Sequence, residues 1–122
     1  MNMRKLDGMD DIDLANAFID IAAEQQKAID DMRSSKYNQL YDEMKNIENI
    51  LRNRPGDMRK VLIPLLEDRR PQVRLKAAMA TLAITPAARD ALILLGQYNF
   101  DSQALEAKMM LSALEDGSFV PK

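Results

Sequence analysis

The stretch from Val61 to Leu82, VLIPLLEDRRPQVRLKAAMATL, admits few folds. Asp57 stands where a side-chain oxygen accepts hydrogen bonds from the free N–H groups of a helix start. Val61, Leu62, Leu65 and Leu66 then recur at helical spacing, which predicts a helix over 58–67. Pro64 lies inside it and has no N–H to donate to the carbonyl of Lys60, so a bend is expected there rather than a stop. The loop Asp68, Arg69, Arg70 is short, and Pro71 suits the first turn of a second helix, where its missing N–H would have had no partner. In that helix Val73, Ala77, Ala80, Thr81 and Ile84 form one apolar stripe, and Leu75, Ala78, Met79 and Leu82 form another beside it. A helix apolar over most of its circumference has to be covered from two directions, which places this one at the centre of the packing.

The rest of the chain supplies the covering helices. Leu14, Phe18, Ile21, Ala22, Ala28, Ile29 and Met32 predict a long amphipathic helix over about 11–32. Asp10, Asp11 and Asp13 oppose its positive start. Its outer face is acidic, with Asp20, Glu24, Asp30 and Asp31 against Lys27. Ser34 or Ser35 opens a second long helix, carrying Tyr37, Leu40, Tyr41, Met44, Ile47, Ile50 and Leu51, which breaks at Asn53 to Asp57 around Pro55 and Gly56. Thr85 and Pro86 read as N-cap and first residue of a fifth helix, with Ala91, Leu92, Leu94 and Leu95 running up to Gly96. A sixth starts at Asp101 and ends near Glu115 to Gly117. Sliding the sequence by 32 places sets Val73 on Leu105, Lys76 on Lys108, Met79 on Leu111 and Leu82 on Leu114, a degenerate internal repeat. The expected fold is therefore all-α: a short right-handed α-α superhelix, six helices in three antiparallel pairs, in one domain of residues 1–122. Its parts are a longer N-terminal pair over 1–56, a central repeat over 57–84, and a degenerate repeat with a tail over 85–122.

Pro64, Leu65, Leu66, Asp68, Pro71, Val73, Arg74, Ala77 and Ala80 resemble one HEAT repeat, with its helix-A proline, inter-helix aspartate and Val-Arg-x-x-Ala signature. Thr81 departs from that pattern, which prefers leucine there. Through its N-terminal helix pair, the PLLED and PQVRLKAA segments and the ALEDG ending, most of the chain is also similar to a small bacterial family of uncharacterised HEAT-like, armadillo-like proteins. The resemblance implies a helical-repeat fold in which Pro64, Asp68, Pro71, Val73, Arg74 and Ala77 are structural. It implies no activity.

Composition narrows the chemistry. At 122 residues a single domain buries roughly 65% of the surface its unfolded chain exposes, enough for a core without staples. There is no cysteine, histidine or tryptophan, and only three Tyr and three Phe. Disulfides, thiolate nucleophiles, imidazole shuttles, the commonest metal ligand and the best stacking surface are thereby removed. The start, MNMRKLDGMDD, turns acidic where a secretory leader has its apolar run, and no segment approaches the roughly 20 apolar residues of a membrane span. A cytoplasmic protein with no cofactor, no bound metal and no membrane or nucleic-acid partner is expected.

Three surfaces compete for a function. Between Arg52 and Lys76 the cations Arg52, Arg54, Arg59, Lys60, Arg69, Arg70, Arg74 and Lys76 outnumber Asp57, Glu67 and Asp68, a separation hidden inside a net charge of −2. Such a basic end steers an acidic partner, with Arg69, Arg70 and Lys76 as its candidates; the competing reading is a solvated set of loops and helix ends. Arg74 is spaced to reach back to Asp68 and the loop carbonyls, which orients a helix pair before it binds anything. Met109 and Met110, with Leu105, Leu111 and Leu114, make the last helix apolar on more sides than one neighbour covers. The tail Phe119, Val120 and Pro121 is expected to fold over it, the competing readings being a second chain or a partner on an adaptable methionine surface. Asp20 and Glu24 share a helix face and, with Asp42, Glu43 or Glu48, raise the rival of a Mg²⁺-dependent phosphohydrolase, though their spacing does not reproduce the paired motifs of those enzymes. The expected function is a non-enzymatic protein-interaction module, a monomer or weak homodimer, binding on the groove side of the second, fourth and sixth helices. A toxin-neutralising immunity protein is the more definite form of that reading.

Overall fold

The computed structural model describes residues 5–97 and 101–122, and within them six helices and no strand. They follow as α1 (Asp11–Asp30), α2 (Ser34–Asn53), a 3₁₀ helix (Met58–Glu67), α3 (Pro71–Thr81), α4 (Ala87–Gln97) and α5 (Ser102–Asp116). The all-α expectation holds. Part of the N-terminal stretch read against a leader, residues 1–4, lies outside the described residues. The chain divides into two compact units, Met1–Val61 and Leu62–Lys122, the division falling within the 3₁₀ helix.

In the first unit α1 packs on α2. Asp10 caps α1, its Oδ1 accepting from the Asp13 N–H at 2.8 Å, which satisfies one of the donors a helix start leaves open. The predicted stripes meet: Leu14, Phe18, Ile21, Ala22 and Ala28 are buried from α1, and Leu40, Met44, Ile47 and Leu51 from α2. Gln25 is buried among them and donates from Nε2 to the Met44 sulfur at 3.9 Å. After α2 the chain makes a type II turn, with Pro55 and Gly56 at its centre, Gly56 at φ +83° and the Asp57 N–H on the Arg54 carbonyl at 3.1 Å.

Met32 does not belong to the α1 stripe. Helix α1 ends in a Schellman motif, the Arg33 N–H reaching the Ala28 carbonyl at 2.8 Å and the Met32 N–H the Ile29 carbonyl at 3.1 Å. That geometry forces Met32 to φ +57° and leaves it 89% exposed. A side chain there gains no packing and carries the left-handed penalty, so Met32→Gly is expected to stabilise the chain by about 0.5 kcal/mol in a urea titration. A loss of stability would show that the methionine packs.

The segment expected as a bent α-helix is wound as a 3₁₀ helix along its whole length. Pro64 removes the N–H that an α-helix would aim at the Lys60 carbonyl and crowds that carbonyl with its ring. In the i→i+3 winding the bond that Pro64 cannot make belongs to the Val61 carbonyl instead of the Lys60 carbonyl, so the winding relocates the lost hydrogen bond without restoring it.

In the second unit α3 packs on both α4 and α5, and α4 on α5, so these helices cluster as three rather than only in pairs. Eight residues of the 11-residue α3 are buried: Gln72, Val73, Leu75, Lys76, Ala77, Ala78, Ala80 and Thr81. The two stripes read in the sequence account for six of them, and Gln72 and Lys76 are additions. Thr81, off the repeat pattern, is buried by donating its hydroxyl to the Ala77 carbonyl at 2.8 Å. Helix α3 stops at Thr81, so Ile84 lies in the following turn. Thr85 caps α4 through Oγ1, 3.3 Å from the Ala87 N. Gly96 does not end α4; it lies inside it, and a Cβ there would come within 3.0 Å of Lys108 Cγ, so the glycine allows α5 to approach. Asp101 caps α5 by accepting from the Ala104 N–H at 2.8 Å, and Gly117 closes it at φ +79°.

Candidate functional site

Of the eight cations expected to form one basic surface, Arg54, Arg59, Arg70, Arg74 and Lys76 are spent separately on partners within the chain. Asp68 holds the centre of its loop. Arg70 grips its carboxylate with both arms, Nε to Oδ1 and Nη2 to Oδ2 at 3.0 Å each, and the Arg70 N–H reaches Oδ1 at 2.9 Å. Arg74 takes the Asp68 main-chain carbonyl through Nη1 at 2.8 Å. The expectation that Arg74 reaches both carboxylate and carbonyl is thus corrected: two residues along the chain, Arg70 is better placed for the fork. Lys76 departs further from expectation. Its side chain is only 5% exposed, and Nζ meets Glu106 Oε2 at 2.9 Å across α3 and α5. One turn earlier on both helices, Gln103 Nε2 donates to Gln72 Oε1 at 2.8 Å. Lys76 is therefore part of the interior and no part of a partner surface. Arg69 is exposed.

Burial also bears on the internal repeat. A shift of 32 would lay fully buried Val73 on Leu105, which is 61% exposed. A shift of 31 lays Gln72, Val73 and Lys76 on buried Gln103, Ala104 and Ala107 but fully buried Ala77 and Ala78 on exposed Lys108 and Met109, so neither shift superposes the buried faces. Letter matching favoured Leu105 because it is apolar, whereas burial follows the helix face.

A second ion pair of the same local kind closes the turn before the 3₁₀ helix. Arg59, buried, binds Asp57 through Nε to Oδ1 at 2.9 Å and Nη2 to Oδ2 at 2.7 Å, with Asp57 itself at φ +49°. The arginine hydrogen bonds hold the Asp57 and Asp68 carboxyls below the ordinary carboxylate value of 3.8, against the opposing effect of desolvation. A carboxyl whose folded value is depressed contributes its stability above the unfolded value and loses it as pH falls through the folded one. The urea midpoint is therefore expected to be level above about pH 5 and to drop below about pH 4. In Asp57→Asn/Asp68→Asn the starting midpoint should be lower and the acid drop shallower; an unchanged drop would assign it to other carboxyls.

Exposed apolar residues stand on both α4 and α5. Leu105 and Met109, one turn apart on α5, are 61% and 64% exposed, and Leu94 on α4 is 60% exposed. Met110 is half-buried. The expected tail cap does not cover this face. Ser118 folds onto Asp116, N–H and hydroxyl both on Oδ1 at 2.8 and 2.6 Å, and the Phe119 N–H returns to the Ala113 carbonyl at 3.1 Å. The turn carries Pro121 to a groove with Leu82 and Leu114, away from Leu105 and Met109, and Phe119 and Val120 stay 39% and 66% exposed. The excess apolarity of the last helix was legible in the sequence. The outward turn of Leu94 was not, because nothing in the adjacent pair Leu94–Leu95 says which member faces the core.

Asp20 and Glu24 line the outside of α1 and Glu43 stands on α2, but among the described residues no three carboxylates converge as a metal site. Among the described residues, no helix is long and apolar enough to cross a membrane.

Helices α1 to α5 with the 3₁₀ segment thus define an all-helical protein. The profile of a domain of unknown function, DUF2019, matches residues 12–115, and the chain belongs to that family. It is also similar to a solved structure, the crystal structure of the protein RPA1889 from Rhodopseudomonas palustris CGA009. The two are 37% identical, with a TM-score of 0.93 over 98% of this chain and 100% of that one. No curated protein matches.

Proposed function

We propose that the chain is a non-enzymatic protein-binding module of HEAT-like build, whose contact face is the outward side of α5. The observation that carries the reading is the exposure of Leu105 and Met109, 61% and 64%, as neighbours one turn apart. Large apolar side chains grouped on a surface are a cost in water that contact with a partner removes, and methionine adapts its shape to what it meets. The HEAT-like build is supported by the roles of the signature residues. Asp68 and Arg74 tie the loop to α3, Pro71 opens α3, and Val73 and Ala77 are fully buried.

The test is retention from a lysate of the source organism by three tagged proteins: wild type, Leu105→Glu/Met109→Glu and Arg69→Glu. A stoichiometric protein held by the first and third and lost from the second supports the face. Loss from Arg69→Glu alone would move the site to the loop. Retention by all three would remove both surfaces, and retention by none would remove the module. Sedimentation of wild type against the α5 variant separates a foreign partner from a second copy of the chain.

A further inference from the structure

The chain has nine methionines and no cysteine, histidine or tryptophan. Thioether sulfur is therefore where a peroxide reacts on this protein, with no thiol to compete for it. Packing sorts those sulfurs. Met44 is buried, its sulfur accepting from Gln25 Nε2 at 3.9 Å, and Met9, Met58, Met79 and Met110 are half-buried. Among the described residues the exposed methionines are Met32, at 89%, and Met109, at 64%. Their surroundings differ. Met32 stands at the left-handed position of the turn after α1, whereas Met109 neighbours the exposed Leu105 one turn away on α5.

We propose that Met109 is a reversible oxidation site whose sulfoxide turns the α5 face from binding to non-binding. This rests on the α5 reading above and adds its regulation. The oxidant is a hydroperoxide. The Met109 sulfur lone pair attacks one peroxide oxygen, an S–O bond forms as the O–O bond breaks, and the other oxygen leaves with its protons as water or an alcohol. Sulfur loses two electrons and the peroxide gains them. A dithiol reductase runs the reverse, its two thiols becoming a disulfide while the oxygen leaves as water. The switch follows from what the new group needs. A thioether is apolar and adapts to what it meets, but a sulfoxide is a polar acceptor that an apolar contact would bury without a donor. On the free chain the exposed side chain keeps its oxygen in water, so the fold survives the change and the contact is what is lost. At Met44 the same oxygen would enter the packed seam of α1 and α2, and the fold would respond first.

The test treats the full chain with millimolar hydrogen peroxide and follows each sulfoxide by tandem mass spectrometry. Met32 and Met109 should oxidise about ten times faster than Met44, and the melting temperature should hold while these two alone carry oxygen. Retention from lysate is then compared for wild type, Met32→Leu and Met109→Leu, each before and after oxidation. Leucine keeps the position apolar and takes no oxygen. The protein held by untreated wild type should fall about tenfold or more on oxidised wild type and oxidised Met32→Leu, and stay on oxidised Met109→Leu. Methionine sulfoxide reductases for both epimers, with dithiothreitol, should restore it to wild type. Undiminished retention by wild type fully converted at Met109 would overturn the switch, as would equal loss from oxidised Met109→Leu. Oxidation of Met109 no faster than Met44 would overturn the site. If untreated wild type retains nothing, the α5 reading itself is removed and the switch goes with it, a result distinct from the others.

Discussion

Glu106→Ala is expected to destabilise the chain by about 2 kcal/mol, whereas Lys76→Met should stay within about 1 kcal/mol of wild type or exceed it. The asymmetry follows from where the two ends of the pair lie. Lys76 is inside, its side chain 5% exposed, while the Glu106 side chain is 38% exposed. Removing the glutamate takes away the carboxylate that compensates an ammonium already withdrawn from water. Removing the lysine leaves a carboxylate that water already reaches, and a methionine fills the vacated volume with apolar atoms. A fully buried pair would lose more, and the partial exposure of Glu106 argues for the lower figure. The double variant Lys76→Met/Glu106→Ala should recover most of the loss. Urea titration of the four proteins closes the cycle. Equal losses from both single variants would mean that the pair acts as an ordinary surface bridge and that Lys76 is not the buried partner.

The largest single loss is expected at Phe18. It is the largest fully buried side chain and lies in the seam of α1 with Leu14, Ile21 and the α2 residues. Phe18→Ala removes its apolar burial and leaves a cavity that packed helices close only in part, a cost of about 4 kcal/mol. Against a typical total of roughly 5–15 kcal/mol, that is a large share of the whole stability. On the same helix Ile12 is 64% exposed, and Ile12→Ala should change stability by less than about 0.5 kcal/mol. Chemical denaturation of both variants reads the contrast. A small loss at Phe18 would contradict the packing of α1 on α2.

Much of this architecture is written in short stretches of chain. Asp101 and Gly117 mark the ends of α5, Thr85 with Pro86 the start of α4, and Pro55 with Gly56 the turn after α2, because each acts through hydrogen bonds or torsions within a few residues. The buried stripes of α1 and α2 follow from the helical repeat alone. The candidate surfaces were less legible. Arg69, Arg70 and Lys76 look alike as letters, yet one is exposed, one is folded onto Asp68 and one is interior.

By itself, then, the sequence determined that the chain is all helical, where nearly every helix begins and ends, and which faces seek cover. It also set aside the chemistry of cysteine, histidine and tryptophan, since the chain has none of them. Tertiary structure decided the rest. It brought Gln72 onto Gln103 and Lys76 onto Glu106, and it sent the tail to Leu82 while leaving Leu105 and Met109 in water. Local signals act between residues a turn or two apart and survive in any context. Burial of a lysine or exposure of a methionine depends on partners about thirty residues away, and only the packed helices bring those together.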